Sequence, residues 1–481
     1  MPLRNALLGC FAELVYPYMP LLDLHDLVNS IDRNCGKNPI SLLLFQAIMF
    51  SGVANVGMHH LKAAGYVTRR DARRDFFQKT RLLYDFDYEV DRISLIQSLL
   101  LMTYWYETPD DQKDSHHWMG IAVSLSHTIG LHRNPERSSM DLKRRQLWRR
   151  IWWSTYMRDR LIALGMRRPT RIKNEDFDVP MLEIDDFHIE ALAPGSVCIP
   201  PSCAVMRDTK KQRELAIMCI EKAKLCICIS HVLSTQYSVL HNNHGVQSKE
   251  GSTTTTMMLV AKKDEPGACG VRTCDEELRV WKESIAPEAE YVLPEDRPIN
   301  GSDECMVLNR SLLHMVYYAA LSALHRPQVL PSNPLPSQHP AAELLEISRA
   351  NVRQAATKIT SMAETLYELD LVRCLPTVGI TVLLPAIIIH LLDIKAPDES
   401  TRRASLQGFC TCMQILNKLR DLYAAADYST AFLEAAIRKA EITLPQKPDL
   451  GLNKSDNIDP ALTVSEGRQK QSDTTSGTTA H

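Results

Sequence analysis

The sequence predicts an all-α protein, and three observations carry that expectation. Leu, Ala, Ile and Met dominate the apolar residues, and glycines number only 19 in 481. Apolar positions recur at three-four spacing through most of the chain, the period of a one-sided helix. No stretch alternates apolar and polar residues over the length that a strand ladder needs. Hydrophobic residues make up 45% and charged residues 23%, an ordinary globular balance. A net charge of −2 excludes whole-molecule attraction to nucleic acid or membrane, so any such attraction is local.

The elements follow in order. Residues 16–22 are an apolar lead-in punctuated by prolines, and helical periodicity then marks 41–57, 70–84 and 92–106. A helix over 118–130 stops at Gly130, because glycine takes the left-handed turn that ends helices. Ser138 and Asp141 have the spacing of a capping box, which opens a long helix to about residue 164. A loop carrying Pro194, Pro200 and Pro201 precedes a helix over 212–240. Residues 242–275, with four threonines at 253–256 and little periodicity, read as a mobile insertion.

Helix resumes over 308–326 and is expected to end at Pro327, before a proline-rich connector at 331–340. Helices over 341–371, 375–392, 401–425 and 431–442 complete the chain, and 446–481 reads as a polar, disordered tail. The expected organisation is one helical body over 1–445, with 14–240 as its characteristic half and 276–445 as its second half.

Thirteen cysteines include no Cys-x-x-Cys pair. An odd count without a secretory leader predicts reduced, intracellular thiols, and the apolar stretch at 3–12 is too short for a leader before Glu13 interrupts it. The run 375–392 holds 18 residues without Asp, Glu, Lys or Arg, yet it contains Pro376, Pro385 and His390. A spanning helix needs about 20 mostly apolar residues, so a buried core helix is expected and no membrane partner.

The densest pattern lies over 118–180. On the long helix, Trp148, Ile151, Trp152, Thr155, Asp159 and Ile162 share one stripe, and Arg145, Arg149, Arg150, Arg160 and Arg167 fall opposite it. An aspartate among tryptophans must find a donor when desolvated, and Arg168 or Arg133 is the expected partner. Residues 133–173 carry thirteen basic and three acidic side chains. That excess suits a nuclear-import signal, a phosphate-contacting surface or a solvated helix face with ion pairs to acids elsewhere. Arg69, Arg70, Arg73 and Arg74 form a second, weaker patch with the same readings.

These residues resemble the fungus-specific transcription-factor domain, the middle region of zinc-cluster regulators, and in particular regulators of the cutinase-transcription-factor type. Trp118, Gly120 and Ala122 match its Trp-x-x-x-Gly-x-Ala helix, with the glycine one residue closer. Gly130, Leu131, His132 and Arg133 match its Gly-Leu-His-Arg turn. Arg144, Arg145, Trp148, Trp152 and Trp153 match its Arg-Arg-x-x-Trp-x-x-x-Trp-Trp helix, and Asp159 and Arg160 its Asp-Arg pair. Arg168 and Pro169 match Gly-Arg-Pro, with Met166 and Arg167 inserted after Gly165. Pro20, the segment 97–101 and the Leu324 to Pro327 run extend the likeness over about 14–442.

The resemblance implies a nuclear transcriptional regulator of pathway genes, perceived through family habit as including secondary-metabolite clusters. Family members read DNA through six clustered cysteines that ligate two zinc ions. Cys10 and Cys35 stand alone here, and no coiled-coil heptad precedes Tyr16. Promoter DNA is therefore expected to be reached only through such a module outside this sequence or through a partner protein, in a homo- or heterodimer that engages the transcription machinery. A co-regulator without a reader of its own, paired with an intact zinc-cluster factor, is the alternative.

An enzyme reading rests on Asp110, Asp111 and Asp114, which spell the aspartate-rich motif of helical terpenoid synthases, where carboxylates hold Mg²⁺ against a diphosphate. Pro109 places them in a loop that opens the next helix, where acids suit the N-terminal dipole. No second metal-binding triad follows. The adjacent pairs His59–His60 and His116–His117 point to different helix faces, and the Cys226–Cys228 and Cys410–Cys412 spacings splay their sulfurs. No catalytic, cofactor-binding or metal residue is expected in this chain.

Overall fold

In the computed structural model, residues 2–33, 40–106, 111, 113–193, 195–239, 258–262, 268–293, 301–329 and 339–439 are described. Residues 1–442 form one unit, and the expected tail at 446–481 lies outside the described residues. The fold is all-α.

Helices α1 (Pro2–Cys10), α2 (Leu24–Arg33), α3 (Leu42–Val53), α4 (Met58–Ala63), α5 (Arg69–Asp85), α6 (Arg92–Met102) and α7 (Ser115–Thr128) lead to the long α8 (Leu142–Met166). A single π turn, Phe11–Val15, continues α1. After α9 (Thr209–Gln236) come α10 (Ala268–Ser284), α11 (Gly301–Val329), α12 (His339–Glu368), α13 (Val378–Asp393), α14 (Glu399–Arg420) and α15 (Ala424–Lys439). Side chains start several of them: Ser41, Thr68, Asp91, Asp114, Asp208 and Asp398 each accept a backbone N–H from the first turn of the helix they precede.

Neighbours in sequence are mostly neighbours in space. α3 packs on α1, α5 and α6, then α6 on α7 and α7 on α8. α8 touches α9 and α13, while α11 joins α9 to α12 and α13, and α14 closes the second half with α15. The run expected as a core helix is α13, nine of whose residues are buried, His390 among them. Among the described residues no helix is long and apolar enough to cross a membrane.

Four sequence expectations are corrected. The capping box at Ser138 does not form. Asp141 alone caps α8, accepting from Arg144 N–H at 2.8 Å, while Ser138 Oγ turns back to the Pro135 carbonyl. The stretch 242–275 is not a uniform insertion. Strand β2 (Leu259–Ala261) pairs antiparallel with β1 (Tyr237–Val239), a two-stranded ribbon, and α10 already begins at Ala268. The rest of that stretch lies outside the described residues.

Pro327 does not end α11, which runs on to Val329. Proline cannot donate to the Ala323 carbonyl four residues back. Tyr237 Oη donates to that oxygen instead at 2.8 Å, and Gln236 Nε2 donates to the Leu324 carbonyl at 2.7 Å. With its orphaned acceptor satisfied, the helix continues. The fourth correction concerns the basic helix face and belongs to the site below.

Two backbone positions explain the ends of α7 and α8. Gly130 lies in the left-handed region at φ 76°, as its stop position requires. Arg167 takes the same region at φ 51°, a conformation that costs a non-glycine residue free energy, and its carbonyl accepts from Leu259 N–H of β2 at 2.6 Å. The two residues inserted after Gly165 thus form the end of α8 and its junction with the ribbon.

Gly165 itself faces α13, where an added Cβ would collide with the Thr381 side chain. Threonine is branched at Cβ and cannot swing clear. Gly165→Ala is expected to destabilise the protein by about 1–3 kcal/mol, the range for overpacking a tight contact. A thermal melt of the variant beside the parent chain checks this, and an unchanged midpoint would show that α8 and α13 are not in close contact there.

Candidate functional site

The residues of the 118–180 pattern converge on α8. A 25-residue helix with one apolar stripe would leave half its surface in water, but every residue from Arg150 to Ala163 is buried. The basic face is only partly solvated, with Arg145 and Arg149 in ion pairs to acids elsewhere. Arg150 and Arg160 are interior side chains, at 2% and 1% exposure.

The physical reason is that most arginines of α8 are met by acceptors. Arg145 and Arg149 share the Glu136 carboxylate, and Arg149 reaches Asp186 at 3.1 Å. Arg150 donates to Tyr16 Oη at 3.0 Å and to the Leu22 carbonyl at 3.2 Å. Arg158 donates to the hydroxyl and carbonyl of Thr103 at 2.7 and 2.8 Å. Arg144 remains exposed at the first turn. The second basic patch is consumed in the same way. Arg69 donates to the Val53 and Ala54 carbonyls at the end of α3, Arg70 pairs with Asp427 at 3.0 Å, and Arg73 is 2% exposed.

Asp159 is buried as expected, with different partners. Its carboxylate meets Arg160 at 2.5 Å and accepts the backbone N–H groups of Arg171 and Ile172 at 3.1 and 3.2 Å. Burial pushes its carboxyl up, and the Arg160 guanidinium and the two backbone donors pull it down. Arg160 also donates to the Ile172 carbonyl at 2.6 Å and lies 4.3 Å from the Tyr156 ring centroid. The two expected partners serve elsewhere: Arg168 pairs with Asp114 at 3.0 Å, and Arg133 with Asp178 at 3.1 Å.

The segment after α8 is therefore tied down along its length. Arg168 holds it to the start of α7, and the Pro169 carbonyl lies 3.2 Å from His116 Nε2. Burial and the neighbouring Arg171 cation push His116 down to about 4, which leaves it neutral near pH 7. Residues 171–172 then clasp Asp159. Further on, Asp178 accepts Asn134 N–H at 2.8 Å and its own N–H goes to the His132 carbonyl, which docks the Gly-Leu-His-Arg turn. The Pro180 carbonyl accepts from Trp153 Nε1 at 2.6 Å.

The aromatic residues fill what remains. Trp118 meets Tyr84 and Phe77 edge-on. Trp152 stacks on His127, with His132 and Phe177 beside it, and Trp153 packs against Tyr156 and Phe177. Trp148, at the wetter end, is 7% exposed. The structure thus brings Trp118, Gly130, His132, Arg133, Arg145, Trp148, Trp152, Trp153, Asp159, Arg160, Arg168 and Pro169 into one strapped hub, with Arg144 at its rim.

Of the aspartate-rich loop, Asp110 and Gln112 lie outside the described residues. Asp114 is occupied, capping α7 through His117 N–H at 2.8 Å while it pairs with Arg168. Among the described residues no three His, Cys, Asp or Glu side chains are grouped to hold a metal ion.

Sequence reasoning missed the interior cations beside this hub. Arg73 and Lys222 are buried with carbonyl partners, Leu422 and Tyr104 for Arg73 and Tyr18 for Lys222. Their one visible signal was position. Arg73, Phe77 and Thr80 share the buried stripe of α5, and Lys222 sits on α9 between the buried Cys219 and Cys226.

A fold built on this hub defines a class. The model of the fungal specific transcription factor domain matches residues 8–283, and the chain belongs to that family. Among curated relatives, cutinase transcription factor 1 beta of Fusarium vanettenii is 54% identical over 92% of this chain and 50% of its own length. Transcription factor cpaR of Aspergillus oryzae is 31% identical, covering 91% of this chain and 71% of its own. The acetamidase regulatory protein of Aspergillus fumigatus is 25% identical over 88% of this chain and 47% of its own. The chain spans about half the length of the cutinase and acetamidase regulators. No solved structure matches it.

Proposed function

We propose that this chain is the regulatory body of a transcription regulator that acts in the nucleus on pathway genes, secondary-metabolite genes among them. Family membership across residues 8–283 carries the reading, and relatives named as cutinase, cpaR and acetamidase regulators support it over most of the chain. The chain is proposed to have no catalytic role and to hold no zinc of its own. Zinc belongs to a DNA-reading module, which acts either as part of a longer chain or on a partner in a dimer.

The inward course of the arginines supports this division. Phosphate contacts need exposed Lys and Arg, because affinity comes from releasing counterions along the backbone. In the basic stretch, Arg150, Arg158 and Arg160 are spent on protein carbonyls, a hydroxyl and Asp159. Their burial supports the reading in which the chain regulates and the DNA is read elsewhere.

The test fuses the chain to a heterologous DNA-binding domain in a fungal host with a matched reporter. The expected result is a several-fold change in reporter output over the DNA-binding domain alone, with the fusion in the nucleus. The purified chain alone is expected to give no sequence-preferring shift of promoter DNA. A reporter that does not respond to the tethered chain would remove the regulatory reading, and a sequence-preferring shift would remove the division of labour.

A further inference from the structure

Three interior cations lie together without a carboxylate. Arg73 donates to the carbonyls of Leu422 and Tyr104, Arg158 to Thr103, and Lys222 to the Tyr18 carbonyl. Among the described residues no Asp or Glu pairs with any of them. They are linked through two tyrosines. The Arg158 guanidinium lies 3.9 Å from the Tyr104 ring centroid, and Lys222 Nζ lies 3.4 Å from that of Tyr18. Arg73 is further enclosed by the rings of Trp105 and Tyr423, at 4.8 and 4.7 Å. Burial pushes Arg73 down to about 10, so it still carries its charge at neutral pH.

Buried cations are normally matched by an anion, because desolvating a lone charge is costly. Here a cavity adjoins them. It encloses about 40 Å³ below an open mouth, and lies among the π turn after α1, α3, α5 and the segments that carry Tyr104, Pro376 and Tyr423. Four polar atoms of its lining residues have no hydrogen-bond partner: Tyr18 Oη, Tyr104 Oη, Arg73 Nε and Asn55 Oδ1. Three of the four are donors. Tyr18 and Arg73 are 9% and 2% exposed, so water outside the fold does not serve them. The remaining wall is largely apolar, Phe50 and Tyr423 included, with Ser51 and Cys374 also lining it.

We infer that this cavity binds a very small monocarboxylate, of formate or acetate size, its carboxylate held by Arg73, Tyr18 and Tyr104. A guanidinium Nε–H and two phenol hydroxyls suit a planar, singly charged acceptor, and so small an enclosed space disfavours a tetrahedral dianion such as phosphate. Binding would give the interior cations the counter-charge that the chain does not supply. The inference is independent of the transcriptional reading, because it is measured on the purified protein.

The full chain is titrated with formate, acetate and butanoate, with acetamide, inorganic phosphate and sulfate alongside, by calorimetry and thermal melting. At least one carboxylate is expected to bind saturably and to raise the melting temperature. The neutral amide and the inorganic anions are expected to leave it unchanged. Tyr18→Phe and Tyr104→Phe each remove a hydroxyl that has no protein partner, so a merely structural role predicts unchanged or raised stability and unaltered titrations. The ligand role predicts about tenfold weaker carboxylate binding in each variant, the loss of one hydrogen bond to a charged group, without loss of folding. Failure of all three carboxylates up to about 10 mM overturns the inference, since a specific site would be filled well below that. So does equal affinity in the tyrosine variants, or binding of phosphate in preference to acetate.

Discussion

Asp159→Ala is expected to destabilise the folded chain by about 3–5 kcal/mol, the cost of leaving one partner of a buried ion pair uncompensated. Asp159 and Arg160 are each 1% exposed, so solvent cannot take over the lost contact. The substitution also strands the Arg171 and Ile172 N–H groups, which point at the missing carboxylate. Those donors anchor the segment that leads on to Asp178 and Pro180, so the damage spreads along the strap. Asp159→Asn keeps an acceptor for one N–H but not the charge, and it is expected to recover little.

The companion variant separates the pair from its place. Replacing both residues, Asp159→Leu with Arg160→Met, removes the two charges together and is expected to cost less than Asp159→Ala alone. Urea midpoints of the three variants, read by fluorescence of the tryptophans, check the ordering. If Asp159→Ala unfolds at the parent midpoint, the buried pair contributes nothing and the strap is held by packing alone.

How far the sequence reached can be judged from the same residues. The helical period placed most helices within a few residues, because one-sided burial repeats in the sequence. Asp159 was legible as a buried carboxylate, since it shares a stripe with Trp148 and Trp152. Its partner was not. Arg160 was assigned to the outer face by helix geometry, and only the approach of the 168–172 segment makes that face an interior one. A side chain's burial on the second face of a helix depends on elements distant in sequence, and period alone cannot supply them.

The missed and misplaced elements fail for similar local reasons. α10 opens with Ala268, Cys269 and Gly270, the last two weak helix formers that continue the low-periodicity stretch before them, and its apolar stripe emerges only at Val271, Cys274 and Leu278. The continuation of α11 through Pro327 depends on a tyrosine hydroxyl ninety residues away in sequence order, Tyr237 on the ribbon. The cation cluster was invisible for a simpler reason. Arg73, Arg158 and Lys222 come from three helices, and their likeness as carbonyl-bound, carboxylate-free charges exists only once those helices are packed.

The tryptophans give the second large effect, and their three substitutions should rank by chemistry rather than size. Trp152→Ala is expected to cost about 3–5 kcal/mol, because it empties a fully buried site between His127, His132 and Phe177. Trp152→Phe should cost much less. The Trp152 indole N–H has no hydrogen-bond partner, so the smaller ring forfeits contact area but orphans nothing. Trp153→Phe makes a similar loss of volume with a different consequence. It leaves the Pro180 carbonyl without the Nε1–H that now donates at 2.6 Å, and adds about 1–3 kcal/mol for the unsatisfied acceptor. Denaturant unfolding of the three variants reads the order Trp152→Ala, then Trp153→Phe, then Trp152→Phe. Equal midpoints for the two phenylalanine variants would mean that the Trp153 hydrogen bond does not hold Pro180, and that the strap depends on Asp159 and Arg168 instead.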